Sequence, residues 1–226
     1  FQLADRVLLA EFAENGSRVV TISATSGELW DARTGEPLNK RLAYNEPVDS
    51  AQLSPDGSKA ALISVKTAQV WDVRTDRFLS TPLQHNDQIS SVHFSPNGLR
   101  LATSCWDGAA RIWDASSGRL VAGPFKHEGR VNSVQFSPDG QRILTASNDR
   151  AARLWDASSG QELIQPLAHG QTVSGAWFSA HGQKIATASE DGAVRVWDAR
   201  TGRPLTEPIK LAAPVSFAEF RPEAEH

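Results

Sequence analysis

The chain has 226 residues, of which 40% are hydrophobic and 22% are charged, and its formal net charge is −3. This composition is typical of a globular protein, and the lack of a basic run argues against a nucleic-acid partner, because phosphate binding requires clustered Lys and Arg. No apolar stretch approaches the ~20 residues of a membrane helix, so we expect no membrane partner.

Two sequence markers recur along the chain with one shared period. Trp-Asp pairs are separated by 41, 42, 42 and 42 residues. The pairs lie at 30–31, 71–72, 113–114, 155–156 and 197–198. The second marker reads, in chain order, FAENG (12–16), LSPDG (53–57), FSPNG (94–98), FSPDG (136–140) and FSAHG (178–182). Two markers in phase predict an all-β propeller, whose blades of about 40–45 residues each contain four antiparallel strands.

The period divides the chain into five complete repeats and the start of a sixth, all within one domain (1–226). The predicted repeats are approximately 1–42, 43–83, 84–125, 126–167 and 168–209, with a partial repeat at 210–226. In the fourth repeat, alternating or apolar runs at 131–137, 142–148 and 151–157 predict three strands joined by tight turns. A fourth strand is predicted at 162–167, on the blade's outer edge because Pro166 cannot donate to a sheet.

These markers resemble the WD40 family, and the resemblance covers essentially the whole chain. In that family, a His before the inner strand, a Ser or Thr on the second strand, an Asp in the next turn and the Trp of the third strand form a buried hydrogen-bonded tetrad. The resemblance implies tetrads in repeats three to five, with Cys105 replacing the hydroxyl residue of repeat three. The implied members are His85, Asp107 and Trp113; His127, Ser147, Asp149 and Trp155; and His169, Ser189, Asp191 and Trp197.

The first two repeats depart from the family pattern. Leu3 and Tyr44 occupy the His position, and Thr25 and Lys66 occupy the Asp position. We expect these blades to depend on apolar packing and to be the softer part of the propeller.

WD40 propellers generally close with more than five blades, so the ring is expected to be incomplete. The first residue is Phe1 and the chain has no Met, which suggests a piece of a larger polypeptide. The missing blades could lie elsewhere in that polypeptide, or copies of the chain could complete one another. Alternatively, five blades could close on themselves, with the tail as an added strand.

The sequence offers no catalytic or metal-binding pattern. No pair among its six His has metal-ligand spacing, and its single cysteine cannot build a thiolate zinc site. Three of these His fall in the tetrad positions, where a structural role is expected. We therefore expect no enzyme activity, cofactor or metal, and the single cysteine favours a reducing, cytoplasmic location.

The resemblance implies a protein-interaction scaffold or sensor that binds a protein or peptide. Binding would use the face that carries the loops before the inner strands and the turns between second and third strands. The candidate residues are Trp106, Asn148 and Glu190 in the turns, and Asp87, Glu128, Arg130 and Gln171 in the loops. Trp106 could contact a partner, since Trp is common at interface hot spots, or pack locally over the neighbouring blade.

Two alternatives remain open. One is a self-assembling structural unit whose ring is completed by other chains. The other is a propeller enzyme with a site in the central channel, although the corresponding inner-strand positions are chemically mixed. These positions are Glu11, Gln52, His93, Gln135 and Trp177. The repeats are similar in style to WD40 regions of bacterial multidomain proteins that contain kinase or STAND-type ATPase domains.

Overall fold

The structure, a computed structural model, describes residues 6–13, 16–38, 42–44 and 46–220. Every named element in these residues is a β-strand. Within the same residues, no helix has the length and apolar composition needed to cross a membrane. The strands are β1 (Val7–Ala13), β2 (Arg18–Ser23), β3 (Ser26–Asp31), β4 (Leu42–Ala43), β5 (Ser50–Leu53), β6 (Lys59–Ser64), β7 (Thr67–Asp72), β8 (Arg77–Phe78), β9 (Leu83–Gln84), β10 (Ile89–Phe94), β11 (Arg100–Cys105), β12 (Ala109–Asp114), β13 (Leu120–Lys126), β14 (Val131–Phe136), β15 (Arg142–Ser147), β16 (Ala151–Asp156), β17 (Leu167–Ala168), β18 (Val173–Phe178), β19 (Lys184–Ser189), β20 (Ala193–Asp198) and β21 (Ile209–Lys210).

The strands form five antiparallel sheets, and the last strand of each sheet ends one residue past the predicted end of its repeat. Blades one, three, four and five have the sequential orders β1-β2-β3-β4, β10-β11-β12-β13, β14-β15-β16-β17 and β18-β19-β20-β21. Blade two has the order β5-β6-β7-β8, and its outer edge is split because β9 also pairs with β7. The all-β propeller of four-stranded antiparallel blades predicted from the repeats is thus confirmed.

Blade four shows how closely the local sequence determines the first three strands of a blade. Its first three strands end one residue before the limits predicted from the apolar runs. The predicted outer strand at 162–167 is instead reduced to an isolated bridge between Trp155 and Glu162, followed by β17 at Leu167–Ala168. Pro166 lies between the two, but its missing N–H does not by itself explain the break, because Pro124 at the same register of blade three lies within the continuous strand β13.

The Asp of each Trp-Asp pair shapes the turn that follows it. Asp156 Oδ1 accepts the backbone N–H groups of Ser158 and Ser159 at 3.0 and 2.7 Å. The turn then reverses through a residue with positive φ, which is Gly160 in this blade and Asp76 in blade two. Asp76 has a φ of 57°, a conformation that Asp tolerates better than most residues. The repeated carboxylates are therefore turn-forming groups in the structure.

The core consists of apolar clusters, most of which lie between successive blades. From blade two onward, each inner strand packs its marker residue against strands of the preceding blade. Phe136 of β14, for example, belongs to one cluster with Ala102, Ile112 and Phe125 of blade three. Because each pair of successive blades buries apolar side chains between them, the core extends along the whole series of blades.

The five blades form an open arc. Inner strands pack in the series β1, β5, β10, β14 and β18. Within the described part of the chain, no comparable packing joins β18 to β1. The blades at the two ends of the series therefore each have one face without a neighbouring blade.

Residues 211–220, predicted to begin a sixth blade, lie beside blade five without forming a strand. The backbone N–H of Val215 donates to the Ser189 carbonyl at 3.2 Å. Phe217 meets the Trp177 ring edge-on, with 5.2 Å between centroids. The remainder of the predicted partial repeat, 221–226, lies outside the described residues.

Candidate interaction face

Blade four contains a complete hydrogen-bonded chain that joins its loop, turn and third strand. Trp155 Nε1 donates to Thr145 Oγ1 at 2.9 Å, and His127 Nε2 lies 2.7 Å from the same oxygen. His127 Nδ1 lies 2.8 Å from Asp149 Oδ2. The imidazole, whose side chain is fully buried, therefore bridges the strand hydroxyl and the turn carboxylate.

The hydroxyl in this chain is Thr145, so the prediction of Ser147 is wrong. The equivalent prediction of Ser189 is also wrong, because both Trp197 and His169 bond to Thr187. Ser147 lies on the same strand face as Thr145, since side chains alternate along a strand. However, it is two residues, or roughly 6.7 Å, further from the indole. The sequence does contain a pattern that indicates the correct hydroxyl. A Thr lies nine or ten residues before the Trp in blades one, three, four and five.

Ser147 has a different role, which is to join the turn to the loop. Its Oγ donates to the Gly129 carbonyl at 3.3 Å and accepts the Asp149 N–H at 3.1 Å. Cys105 occupies the same register in blade three, where its Sγ contacts the Asp87 carbonyl at 3.2 Å and the Asp107 N–H at 3.4 Å. Cys105 therefore does not replace the tetrad hydroxyl, which Thr103 supplies by binding both His85 and Trp113.

The His-to-Asp contact differs in the other two blades. In blade five, His169 Nδ1 is 3.6 Å from Asp191 Oδ2, which instead accepts the Gly170 N–H at 2.8 Å. In blade three, both carboxylate oxygens of Asp107 bind the Arg111 guanidinium, at 2.7 and 3.2 Å.

His85 therefore turns its Nδ1 toward the Leu83 carbonyl at 3.2 Å, not toward Asp107. The structure thus brings His, Thr and Trp together in all three blades. The hydrogen bond from His to Asp that completes the tetrad forms in blade four and is absent from blades three and five as described.

The imidazoles of His85 and His169 are held in the neutral form. Burial, together with the positive charge of Arg111, lowers the pKa of His85 to about 4. Burial also lowers the pKa of His169. Neutral, buried rings bonded to a Thr hydroxyl are structural groups, since neither solvent nor a substrate reaches them.

Blades one and two contain only parts of the tetrad. In blade one, Trp30 Nε1 donates to Thr21 Oγ1 at 2.8 Å, a hydrogen bond that the repeat pattern did not predict. In blade two, Leu62 occupies the Thr position, and the buried Nε1 of Trp71 has no hydrogen-bond partner among the described residues. Leu3, assigned to the His position of blade one, lies outside the described residues.

Backbone hydrogen bonds bring the predicted loop and turn residues together at one end of blades three to five. The Trp106 N–H donates to the Gln88 carbonyl, the Asn148 N–H to the Arg130 carbonyl, and the Glu190 N–H to the Thr172 carbonyl. These bonds measure 2.9, 2.9 and 3.0 Å. We call this end of the three blades, with its loops and turns, the upper face.

Trp106 and Arg130 form a contact across the junction of blades three and four. The Arg130 guanidinium carbon lies 4.2 Å from the centre of the Trp106 ring, a cation–π arrangement. Trp106 is half-buried, and Arg130 is exposed. Trp106 therefore packs locally and still presents part of its ring at the upper face.

Other polar contacts order the upper face. The Asn132 side-chain amide donates to Asn148 Oδ1 at 2.8 Å and to the Val173 carbonyl of blade five at 2.9 Å. Lys66 Nζ lies 3.9 Å from Asp87 Oδ1 across blades two and three. The side chains of Glu128, Gln171 and Glu190 are exposed.

The predicted channel positions do not converge into a reactive cluster. His93 Nδ1 accepts the Phe136 N–H at 3.3 Å, and Gln135 Oε1 accepts the Phe178 N–H at 2.9 Å. These side chains join successive blades. In the part of the chain that the structure describes, no group of three His, Cys, Asp or Glu side chains could hold a metal ion.

A family model described as "WD domain, G-beta repeat" matches residues 76–114, 119–156 and 161–198, together just over half of the chain. The chain belongs to the WD40 family. Each matched stretch begins at the outer edge of one blade and ends at the Trp-Asp pair of the next, so the family's repeat is offset by one strand from the structural blade. WD40 domains are generally protein-interaction scaffolds and are typically non-enzymatic.

A search of solved structures found a likeness to a crystal structure of the computationally designed Ika8 protein. The TM-score is 0.80 at 22% sequence identity, over 95% of this WD40 chain. The alignment spans 65% of the Ika8 chain, so this protein covers less than two thirds of that structure. At this identity, the likeness concerns the fold alone. A comparison with curated proteins gave no significant match.

Proposed function

We propose that this WD40 chain is a non-catalytic scaffold or sensor module that binds a protein or peptide on its upper face. The observation that carries the proposal is the Trp106–Arg130 contact at the junction of two blades. Trp and Arg are the residues most often found at the energetic centre of protein interfaces. The candidate contact residues are Trp106, Asp87, Glu128, Arg130, Asn148, Gln171 and Glu190.

The rigidity of the upper face supports this role. Its turns are tied to its loops by backbone hydrogen bonds, and Asn132 links blade four to blade five. A surface ordered in this way loses little conformational entropy when a partner binds. We therefore expect binding without rearrangement within the blades.

The charges on the upper face favour a partner with a basic side chain beside an apolar one. Asp87, Glu128 and Glu190 supply carboxylates, whereas Arg130 is already placed over Trp106. A peptide that lays an apolar side chain against the exposed part of the indole could direct a Lys or Arg toward these carboxylates.

The wider context of the chain is part of the same proposal. The resemblance in repeat style to bacterial multidomain proteins supports a cytoplasmic sensor or scaffold segment attached to signalling domains. The scaffold role itself does not depend on that context.

The test is selection of random peptides displayed on phage against the immobilised protein, followed by calorimetric measurement of each peptide's affinity. We expect Trp106→Ala to weaken most selected peptides by at least about tenfold, as for a hot-spot Trp. Glu128→Gln and Glu190→Gln together should weaken the basic members of the set.

The matched control is Leu99→Ser, which changes an exposed apolar residue in the turn between β10 and β11, at the opposite end of blade three. Its affinities should equal those of the unaltered protein. If selected peptides bind Trp106→Ala as tightly as the unaltered protein, the upper face is not the binding site.

A further inference from the structure

A cavity of about 270 Å³ lies beside the sheet of blade two. Its walls include Tyr44, Glu46, Leu62, Thr67, Gln69 and Phe78. Tyr44, Leu62 and Phe78 also belong to, or pack against, the apolar cluster between blades one and two, which places the cavity in that junction. This volume is below the roughly 300–1,000 Å³ of most small-molecule sites, so the cavity suits one side chain or a molecule of similar size.

In blade four, a guanidinium group occupies the corresponding space. Arg153 Nη1 donates to both carboxylate oxygens of Glu162, at 3.1 and 3.2 Å. Its Nη2 lies 3.7 Å from Asp149 Oδ2, on the side of the tetrad. The Arg side chain therefore crosses the blade from the tetrad to the outer edge and fills the space between them.

Blade two has different side chains at the positions of this network. The residues equivalent to Arg153, Glu162, His127 and Thr145 are, in the same order, Gln69, Phe78, Tyr44 and Leu62. The charged pair across the blade is thus replaced by an amide and a phenyl ring. All four of the blade-two residues line the cavity.

The conformations of Tyr44 and Gln69 leave the space open. Tyr44 extends toward blade one, where a Cβ added at Gly27 would lie 2.5 Å from the Tyr44 hydroxyl oxygen. This close approach requires a residue without a side chain at position 27. Gln69 is shorter than Arg, and its Nε2 donates to the Ser80 carbonyl at 2.9 Å. Neither side chain fills the place of the Arg153 guanidinium.

The cavity offers hydrogen-bond acceptors and a negative charge. Glu46 supplies an exposed carboxylate, and the Gln69 amide oxygen is available because Nε2 is the atom that bonds Ser80. The buried Tyr44 hydroxyl has no hydrogen-bond partner among the described residues. None of the described lining residues is Lys, Arg or His. These features favour a cationic donor over an anion.

The surroundings of Tyr44 add to this negative character. Burial, together with the negative charges of Asp76 and Glu28, raises the pKa of the Tyr44 phenol. The hydroxyl therefore keeps its proton and remains an acceptor through its lone pairs. A cation beside it would be attracted by the same two carboxylates.

We propose that this cavity binds a guanidinium group on a short aliphatic stem, carried either by an Arg side chain of a peptide or by a small guanidine. The group takes the place that the Arg153 guanidinium has in blade four. Glu46 supplies the opposite charge, and Tyr44 and Phe78 supply aromatic surface, on which a planar guanidinium packs well. Leu62 contacts the stem. The site is separate from the upper face.

The test is an NMR titration of the isotope-labelled protein with two probes, the tripeptide acetyl-Gly-Arg-Gly-amide and butylguanidinium. The tripeptide should shift the backbone amides of Glu46, Thr67 and Gln69 along one saturating curve at millimolar concentrations. The matched probe carries citrulline in place of Arg, which keeps the shape but removes the charge. It should bind at least about tenfold more weakly, because charge-assisted hydrogen bonds are the stronger ones.

Two variants test the assignment of the site. Gln69→Arg gives blade two the side chain that blade four has at this position, and it should weaken the tripeptide at least about tenfold because the space is then filled. Glu46→Gln should weaken it by about threefold or more, as for a partly exposed ion pair. The matched control is Glu207→Gln, which changes an exposed carboxylate on the outer edge of blade five and should bind like the unaltered protein.

Circular dichroism checks that each variant is folded. Glu46 is exposed, so Glu46→Gln keeps the test decisive if Gln69→Arg does not fold. Equal affinities of butylguanidinium and the tripeptide would show that a free guanidine is a sufficient ligand. Tighter binding of the tripeptide would identify a peptide as the source of the guanidinium. Both results support the proposal.

Three results overturn the proposal: no saturable shift in blade two with either probe, equal affinity of the citrulline peptide, or unchanged binding by a folded Gln69→Arg variant. Shifts confined to the upper face also overturn it, and they would support the function proposed for that face instead. Failure of peptide selection at the upper face leaves the prediction for this cavity unaffected.

Discussion

Trp155 and Thr145 are joined by a 2.9 Å hydrogen bond that anchors the third strand of blade four to its second strand. The Thr145 hydroxyl also meets His127 at 2.7 Å, so one oxygen satisfies two buried ring nitrogens. A hydroxyl both donates and accepts, which lets it serve the indole N–H and an imidazole nitrogen together. Through this oxygen, the third strand is linked to the second strand and to the loop that carries His127.

We expect Thr145→Val to destabilise the protein by about 2–4 kcal/mol, because the isosteric change leaves two buried nitrogens without a partner. Ser147→Ala, the matched control two residues along the same strand face, should cost about 1 kcal/mol, because it removes only the bonds that tie turn to loop. Urea unfolding followed by Trp fluorescence measures both values. Equal losses would show that the hydroxyl at 145 has no special role.

The pKa of His85 predicts how stability depends on pH. Burial and the nearby Arg111 lower this pKa to about 4, whereas the unfolded chain titrates near the ordinary value of 6.5. Between pH 6.5 and 4 the unfolded state therefore binds more protons than the folded state. The free energy of unfolding should fall as the pH falls through this window, by about 3 kcal/mol in total from His85.

The control for this prediction is His85→Gln, which cannot titrate. Its unfolding free energy, measured at several pH values between 7.5 and 4.5, should depend less steeply on pH than that of the unaltered chain. A residual slope should remain because burial also lowers the pKa of His93 and His169. The depressed pKa of Asp107 and of Asp149 affects stability near and below pH 4. Parallel curves for variant and unaltered chain would contradict the prediction.

The thiol of Cys105 should be unreactive in the folded protein. Its side chain is fully buried, and burial raises its pKa, which reduces the thiolate fraction. We expect Ellman's reagent to modify it on the order of a hundredfold more slowly in buffer than in concentrated denaturant. Rapid modification in buffer, with the protein still folded by circular dichroism, would rule out this burial.

Replacing Cys105 by Ser should be well tolerated. Ser147 and Ser189 make the equivalent bonds to a loop carbonyl and a turn N–H in blades four and five. The change in unfolding free energy should stay below about 1 kcal/mol. Cys105→Val is the contrasting variant, because it fills the space without bonding the turn. It should be the less stable of the two.

The contact of Arg130 with Trp106 should be measurable as a coupling energy. A double-mutant cycle with Trp106→Ala and Arg130→Ala should give about 0.5–1 kcal/mol of coupling in the unfolding free energy, the range of a partly exposed cation–π pair. The pair Trp106→Ala and Arg150→Ala is the control, because Arg150 lies in the turn between β15 and β16 and makes no cation–π contact with that ring in the described structure. Coupling indistinguishable from zero in the first cycle would mean that the two side chains do not associate in solution.

Much of the fold could be predicted from short-range patterns. The first three strands of blade four were predicted to within one residue, since strand alternation and turn residues are properties of neighbouring positions. The outer strands were less predictable. In blade three the outer strand is seven residues long and includes Pro124, whereas in blade four it is reduced to a bridge at Glu162 and the two residues Leu167–Ala168. An outer strand pairs only with the third strand of its blade, so its length depends on how many residues of the connecting segment lie beside that strand.

The candidate site was predicted in part. The loop and turn residues were assigned to one end of the blades, where backbone bonds do hold them together. The tetrad hydroxyl was assigned to Ser147 instead of Thr145, because strand alternation specifies the face of a residue but not which residue on that face reaches the indole. The sequence likewise could not predict that Asp107 binds Arg111 instead of His85. Both side chains are long enough to reach the carboxylate, and their distances and angles are set by the three-dimensional structure.

By itself, the sequence determined the repeat period, the blade as the folding unit and the turns that separate the strands, because all of these follow from residues close together in the chain. Only the tertiary structure decided which hydroxyl each Trp meets, how Trp106 and Arg130 share the upper face, and that Phe12 and Ile209 are left uncovered. The first outcome depends on the geometry between adjacent strands of one blade, and the other two depend on the neighbouring blade. Burial is a property of what packs against a residue, and identical markers at Phe12 and Phe136 acquire opposite environments for that reason.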